Sequence, residues 1–222
     1  MIEKEDLVAT GTTTVAMVYK DGVVMATDSR ATMGHFIAST EAKKVYVIDD
    51  FKAMTIAGSV GDAQEIVRTM QALLKKHKMS TGKNMSVNAC ASFLANWLND
   101  SYKKGRYFSV EIIIGGVDQK GSFIYSIDAV GGRIEDKVIS TGSGSSGAYG
   151  FLENSFREDL TKEEAIDVAI RAIHTAIKRD AMSGNGIKVL TITEEGCCEI
   201  PTSYIEEKVE ELSGKNKKEG DK

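Results

Sequence analysis

Residues 12–34, TTTVAMVYKDGVVMATDSRATMG, are the stretch of sequence that indicates the fold most clearly. Two runs of β-branched and apolar residues, at positions 12–19 and 23–27, flank Lys20-Asp21-Gly22. An Asp-Gly pair between two such runs is typical of a tight hairpin turn. The stretch therefore predicts an antiparallel β-hairpin that begins immediately after a short polar leader.

Strand and helix patterns alternate in blocks along the rest of the chain. Residues 44–48 and 53–57 predict a second hairpin. Apolar residues at helical spacing predict one pair of helices after it and another pair that begins near Ser146 and Thr161. Thr161 with Glu164 is a capping-box pattern. Further strand patterns cover residues 44–48, 53–57, 110–114, 123–127, 137–141, 187–193 and 197–200.

Helices grouped apart from strands favour antiparallel sheets over alternating βαβ units. The sequence therefore predicts one α+β domain, in which two antiparallel sheets are stacked between two layers of helices. A charged helix is predicted after Pro201, and the polar composition of residues 213–222 predicts a disordered tail.

Composition excludes several classes of protein. The 222 residues carry a net charge of −4, which argues against a nucleic-acid-binding surface. No apolar run approaches the ~20 residues of a membrane-spanning helix, and the acidic N-terminus lacks the apolar stretch of a signal peptide. The three cysteines, Cys90, Cys197 and Cys198, lack the spacing of a metal or redox site. Unpaired cysteines fit a reducing compartment, so we expect a cytoplasmic protein.

Two common kinds of functional site are disfavoured. The only histidines are His35, His77 and His174, and none accompanies a G-x-S-x-G motif, so a histidine-based triad is not predicted. Residues 142–147, GSGSSG, fit G-x-G-x-x-G and lead from a strand into a helix, a pattern that can hold a phosphate. The preceding elements do not form a βαβ unit, however, so a tight turn that presents serine hydroxyls is favoured.

The boundary between Gly11 and Thr12 carries a candidate nucleophile. Cleavage there would expose the Thr12 amine, whose unperturbed pKa of about 7.7–8.0 allows it to accept a proton near neutral pH. One residue would then supply both a hydroxyl nucleophile and its base. Asp28 follows the second predicted strand, and Lys44 begins the next one. A lysine beside the Thr12 oxygen would favour the alkoxide, and a carboxylate beside that lysine would keep it charged and oriented. These residues also fit an ordinary strand with solvated ends.

Several separated motifs resemble the proteasome β subunits of the archaeal type. The resemblance lies in Thr12-Thr13-Thr14-Val15, in residues 20–34, in residues 55–64 (TIAGSVGDAQ), in residues 141–145 (TGSGS) and in residues 179–184 (RDAMSG). The motifs occur in the same order as in the family, and the resemblance runs from Thr12 to about Leu212.

The resemblance implies the four-layer αββα fold of the N-terminal-nucleophile hydrolases, which agrees with the order of elements above. It implies a threonine endopeptidase in which Thr12 attacks a peptide carbonyl to form an acyl-enzyme that water releases. Residues 1–11 would be a propeptide removed by self-cleavage between Gly11 and Thr12, and residues 12–212 the catalytic domain. The matching catalytic positions are Thr12, Asp28, Lys44, Ser143, Asp180 and Ser183, and Gly58 matches the residue whose backbone N–H holds the oxyanion.

Specificity and partners are implied in the same way. Ala31, Ala42, Ile56 and Val60 match the pocket for the side chain that precedes the cut, and their small or apolar character predicts cleavage after apolar residues. The family implies heptameric β rings, stacked between rings of proteasome α subunits and fed with unfolded polypeptide by an ATPase ring. Its chemistry requires no metal or organic cofactor, and no nucleic acid or membrane is expected as a partner.

Two alternatives stay open from the sequence alone. The chain could be a non-catalytic scaffold β subunit, against which the intact Thr12, Asp28, Lys44 and Asp180 argue. It could also be a related N-terminal-nucleophile hydrolase outside the proteasome, against which residues 30–34 (RATMG) and the length after Thr141 argue.

Overall fold

The structure is a computed structural model that describes residues 11–219. Two five-stranded antiparallel sheets form its centre, and the first contains the predicted N-terminal hairpin. In spatial order, the first sheet consists of β10 (Val138–Thr141), β1 (Thr14–Tyr19), β2 (Gly22–Asp28), β11 (Ile187–Thr193) and β12 (Gly196–Glu199).

The second sheet is built from the middle of the chain, and its strands follow one another in sequence order. They are β5 (Val45–Asp49), β6 (Lys52–Gly58), β7 (Val110–Asp118), β8 (Gly121–Ile127) and β9 (Arg133–Asp136). A separate two-stranded hairpin consists of β3 (Ala31–Met33) and β4 (Phe36–Ser39). In the sequence it follows β2 of the first sheet and precedes β5 of the second.

Helices cover the outer faces of both sheets. The second sheet packs against α1 (Val60–Thr81) and α2 (Val87–Lys103). The first sheet packs against α3 (Ser145–Ser155), α4 (Lys162–Ile177) and α5 (Thr202–Glu219). The predicted capping box starts α4, since the Thr161 hydroxyl accepts the Glu164 N–H and the Glu164 carboxylate accepts the Thr161 N–H. None of the helices described is long and apolar enough to cross a membrane.

Alternation along β1 shows how the layers arise. Val15, Met17 and Tyr19 face the helices of the first sheet, whereas Ala16 and Val18 face the second sheet. Both faces of this strand are therefore buried, as its unbroken apolar pattern requires. Three apolar layers result, one between the sheets and one between each sheet and the helices that cover it. The predicted αββα sandwich is confirmed.

Three strands and the end of α5 depart from the sequence prediction. β3, β4 and β9 were not predicted, because most of their residues are exposed and show no apolar alternation. The α5 helix continues to Glu219, whereas the sequence predicts a disordered tail from residue 213. Ile205 anchors this helix in the core and Lys208 pairs with Glu211 one turn later. Most of the predicted leader, residues 1–10, and residues 220–222 lie outside the described part.

Candidate active site

Thr12 lies two residues before β1 and is almost completely buried. Its hydroxyl donates to the Gly11 carbonyl oxygen at 2.7 Å. Its backbone N–H donates to Ser143 Oγ at 3.2 Å. The candidate nucleophile is therefore held next to the carbonyl of the bond that the sequence predicts to be cut.

The Lys44 ammonium reaches the same carbonyl. Lys44 Nζ lies 3.0 Å from the Gly11 oxygen and 2.7 Å from Asp28 Oδ1, and its side chain is only 7% exposed. A lysine in this position withdraws charge from the carbonyl oxygen and makes the carbon more electrophilic.

Asp28 is fully buried, and its carboxylate is satisfied at both oxygens. Oδ1 accepts from Lys44 Nζ and from the Thr13 N–H at 2.9 Å. Oδ2 accepts from the backbone N–H groups of Arg30 at 3.0 Å and Gly184 at 2.9 Å. Four donors match the acceptor capacity of a carboxylate, so the buried charge is compensated and Asp28 is fixed in one orientation.

Burial lowers the pKa of Lys44 below its ordinary value of 10.5. The charges of Asp28 and Asp180 and the hydrogen bond to Asp28 act in the opposite direction and offset part of this effect, while Arg30 adds to the lowering. The ammonium therefore gives up its proton more readily than that of an exposed lysine, a property typical of lysines that take part in proton transfer.

Asp180 joins two serines on the other side of Thr12. Ser143 Oγ and Ser183 Oγ each lie 2.6 Å from Asp180 Oδ2, and Asp180 Oδ1 accepts the Met182 N–H. Burial alone would raise the pKa of Asp180, but these hydrogen bonds and the nearby Lys44 outweigh it and lower the pKa. The group is thus a carboxylate near neutral pH, and each serine uses its only proton to donate to it.

The glycine-rich turn at residues 142–147 packs directly on the candidate nucleophile. Gly142 has a φ of +90°, and a Cβ there would lie 2.1 Å from the Thr12 carbonyl oxygen. A Cβ on Gly144 would lie 2.0 Å from Thr13 Oγ1. These glycines allow the turn to approach residues 12 and 13 closely, which explains the motif without a phosphate.

Gly58 ends β6 in a conformation that only glycine adopts readily. Its φ is +117°, and a Cβ would lie 2.1 Å from the Ser109 carbonyl oxygen.

Among the four predicted pocket residues, Ile56 is buried and donates its N–H to the Lys44 carbonyl at 3.1 Å. Ala42 is half-buried and donates to the Ser29 carbonyl, Ala31 begins β3, and Val60 is 51% exposed at the start of α1.

The sequence did not single out several residues that complete the site. Thr32 Oγ1 accepts the Gly11 N–H at 2.9 Å, and Thr13 Oγ1 lies 2.7 Å from Ser183 Oγ. Both threonines lie in stretches that predict strands, where threonine is common. The sequence therefore does not distinguish a threonine with a role in the site from one that only favours a strand.

Arg30 was also missed, although it holds the loop that carries Asp180 and Ser183. Its guanidinium donates to the Ala181 carbonyl at 2.7 Å and to Asn185 Oδ1 at 2.8 Å. It also fills the space beside Gly184, where a Cβ would lie 2.4 Å from an arginine nitrogen.

The structure thus brings all six predicted catalytic residues into one hydrogen-bonded group around the bond between Gly11 and Thr12. Within residues 11–219, no group of three His, Cys, Asp or Glu side chains is arranged to hold a metal ion.

Sequence comparison relates this chain to known proteins. A profile of the proteasome subunit family matches residues 8–192. The chain belongs to the proteasome subunit family. It is 53% identical over 188 residues to a proteasome subunit beta of Methanosarcina barkeri, which covers 83% of this chain and 87% of the relative. It is 49% identical over 210 residues to one of Ferroglobus placidus, covering 93% and 98% of the two chains. These similarities confirm the resemblance to archaeal β subunits.

Proposed function

We propose that this proteasome-family chain is a threonine endopeptidase that activates itself by cutting between Gly11 and Thr12. The observation that carries the proposal is the position of Lys44 Nζ, 2.7 Å from Asp28 Oδ1 and 3.0 Å from the Gly11 carbonyl oxygen. The Thr12 hydroxyl lies 2.7 Å from the same oxygen. Nucleophile, charged group and candidate scissile carbonyl are therefore adjacent before any cleavage occurs.

Activation follows from this arrangement in two steps. Thr12 Oγ forms a bond to the Gly11 carbonyl carbon, the bond between that carbon and the Thr12 nitrogen breaks, and the hydroxyl proton passes to the nitrogen. Lys44 stabilises the charge that develops on the carbonyl oxygen. Water then hydrolyses the resulting ester, which restores the Thr12 hydroxyl and leaves a free amine and a Gly11 carboxylate.

The mature site uses the same groups on a substrate. The free Thr12 amine, with an ordinary pKa of about 7.7–8.0, accepts the proton of the hydroxyl as it attacks the substrate carbonyl. Because Ser143 donates to Asp180, it can only accept from the Thr12 amine, which leaves the nitrogen lone pair available. The backbone N–H of Gly58 is assigned to the oxyanion. Water completes the reaction by releasing the acyl group.

The pocket and the assembly extend the proposal. Ala31, Ala42, Ile56 and Val60 carry no charge, which favours an apolar side chain before the cut. As a family member, the chain is assigned to a heptameric β ring between α rings, with an ATPase ring that delivers unfolded polypeptide. Enclosure in such a particle would allow an unselective peptidase to exist in the cytoplasm.

Peptide hydrolysis tests the enzymatic part of the proposal. The full chain is coexpressed with a matching proteasome α subunit, and the particle is assayed with fluorogenic peptides that place Leu, Tyr, Arg or Glu before the leaving group. We expect hydrolysis after Leu and Tyr to be fastest and Thr12→Ala particles to be inactive. Equal rates for all four peptides would contradict the pocket assignment, and activity in Thr12→Ala would contradict the nucleophile.

A further inference from the structure

Thr13 connects the two halves of the active site, although no catalytic role is assigned to it above. Its backbone N–H donates to Asp28 Oδ1 at 2.9 Å, on the side of Lys44. Its hydroxyl lies 2.7 Å from Ser183 Oγ, on the side of Asp180. The residue is completely buried, so water does not compete for either contact.

The direction of the hydroxyl contact follows from counting protons. Asp180 is a carboxylate and can only accept hydrogen bonds. Ser183 Oγ lies 2.6 Å from Asp180 Oδ2, so the single proton of that serine points to Asp180. Thr13 must therefore donate to Ser183, and a directed chain of hydrogen bonds runs from Thr13 through Ser183 to Asp180.

The glycine-rich turn closes over this chain. A Cβ on Gly144 would lie 2.0 Å from Thr13 Oγ1 and 3.1 Å from Asp180 Oδ2. The preceding residue of the turn, Ser143, donates to the same Asp180 oxygen and accepts from the Thr12 nitrogen. The Thr13 hydroxyl thus lies beneath the turn that positions the nucleophilic residue.

We propose that Thr13 is a positioning residue, whose hydroxyl orients Ser183 and, through Asp180, the Ser143 hydroxyl at the Thr12 amine. The proposal rests on the proposed function, because it concerns the same reaction. The Thr13 side chain is completely buried, so we assign it no contact with the substrate. Donation into a hydrogen-bond chain strengthens the next bond of the chain, so loss of the Thr13 proton weakens the hold of Ser183 on Asp180.

The test compares Thr13→Val, Thr13→Ser and Thr14→Val in the full chain, assembled with α subunits. Valine keeps the shape of threonine and removes the donor, and serine keeps the donor. Thr14 is the matched control, because it is equally buried in the same segment and its hydroxyl bonds to Thr141 and Thr55, outside the Asp180 network. We expect Thr13→Val to lower kcat about tenfold, the scale of one hydrogen bond, with KM unchanged. Thr13→Ser and Thr14→Val should both stay close to wild type.

A double-mutant cycle separates positioning from general destabilisation. If Thr13 acts through Ser183, then Thr13→Val combined with Ser183→Ala should be no slower than Ser183→Ala alone, whereas independent effects would multiply. Should Thr13→Val give no assembled particle, Thr13→Ala takes its place in the same cycle. Multiplying effects, or equal losses in Thr13→Val and Thr14→Val, would overturn the inference. An inactive wild-type particle would instead overturn the proposed function.

Discussion

Lys44 directly precedes β5 and Lys52 begins β6, and each forms a short ion pair with an aspartate. Lys44 lies 2.7 Å from Asp28, and Lys52 lies 2.8 Å from Asp49. The lysine side chains are 7% and 0% exposed, respectively, and the aspartates 0% and 15%. By length and burial alone, the two pairs are nearly equivalent.

Their surroundings differ. Asp49 is three residues from Lys52 and also accepts the Phe51 N–H, so this pair closes a local turn. Asp28 accepts one local hydrogen bond, from the Arg30 N–H, and three from other segments of the chain. Its partner Lys44 also donates to the Gly11 carbonyl oxygen. A buried ion pair is thus by itself weak evidence of function, and the group that the ammonium reaches next distinguishes the two.

The largest expected effect separates the two lysines. Lys44→Met removes the charge at the Gly11 carbonyl, and we expect peptide hydrolysis by the assembled particle to fall roughly 10³–10⁴-fold, the scale of losing one member of a coupled catalytic group. Lys52→Met, the matched control, removes an equally buried ammonium that pairs with Asp49, and it should stay within about threefold of wild type. Similar losses in both variants would mean that Lys44 supports the fold and not the chemistry.

The next largest effect is expected from substitution of Asp28, the partner of Lys44, compared with Asp49, the partner of Lys52. Asp28→Asn keeps the size of the side chain but offers one acceptor oxygen to four donors and no charge to Lys44. We expect kcat to fall about 10²–10³-fold, comparable to loss of one electrostatic contact in an active site. Asp49→Asn makes the same chemical change in the local pair and should leave kcat near the wild-type value. A loss in Asp49→Asn as large as that in Asp28→Asn would contradict this distinction.

The same contrast explains how much could be predicted from the sequence. The sandwich was predicted because strand and helix patterns are local, as in the hairpin around Asp21 and Gly22 and in the capping box at Thr161. The position of Asp28 beside Lys44 came from resemblance, because the contacts that make this pair are distant in sequence. Thr13, Thr32 and Arg30 were missed for the same reason, since their partners lie on other segments.

The smallest expected effect is a change in pH dependence. Burial lowers the pKa of Lys44 below 10.5, and the protonated form is the one that withdraws charge from the carbonyl. The alkaline decline of kcat attributable to Lys44 should therefore lie below pH 10.5. Asp28 raises the pKa of Lys44, so Asp28→Asn should move this decline to still lower pH. Profiles of kcat against pH for wild type, Asp28→Asn and Lys52→Met test the direction of this shift. Lys52→Met should show no shift. A move to higher pH in Asp28→Asn would contradict the assignment.

The most direct test of self-activation is the intact mass of the chain in the assembled particle, for wild type, Thr12→Ala and Lys52→Met. We predict that residues 1–11 are lost from wild type and from Lys52→Met and retained in Thr12→Ala. That result would establish Thr12 as the residue that cuts its own leader. A wild-type chain that keeps residues 1–11 within the assembled particle, or a Thr12→Ala chain that loses them, would contradict the account.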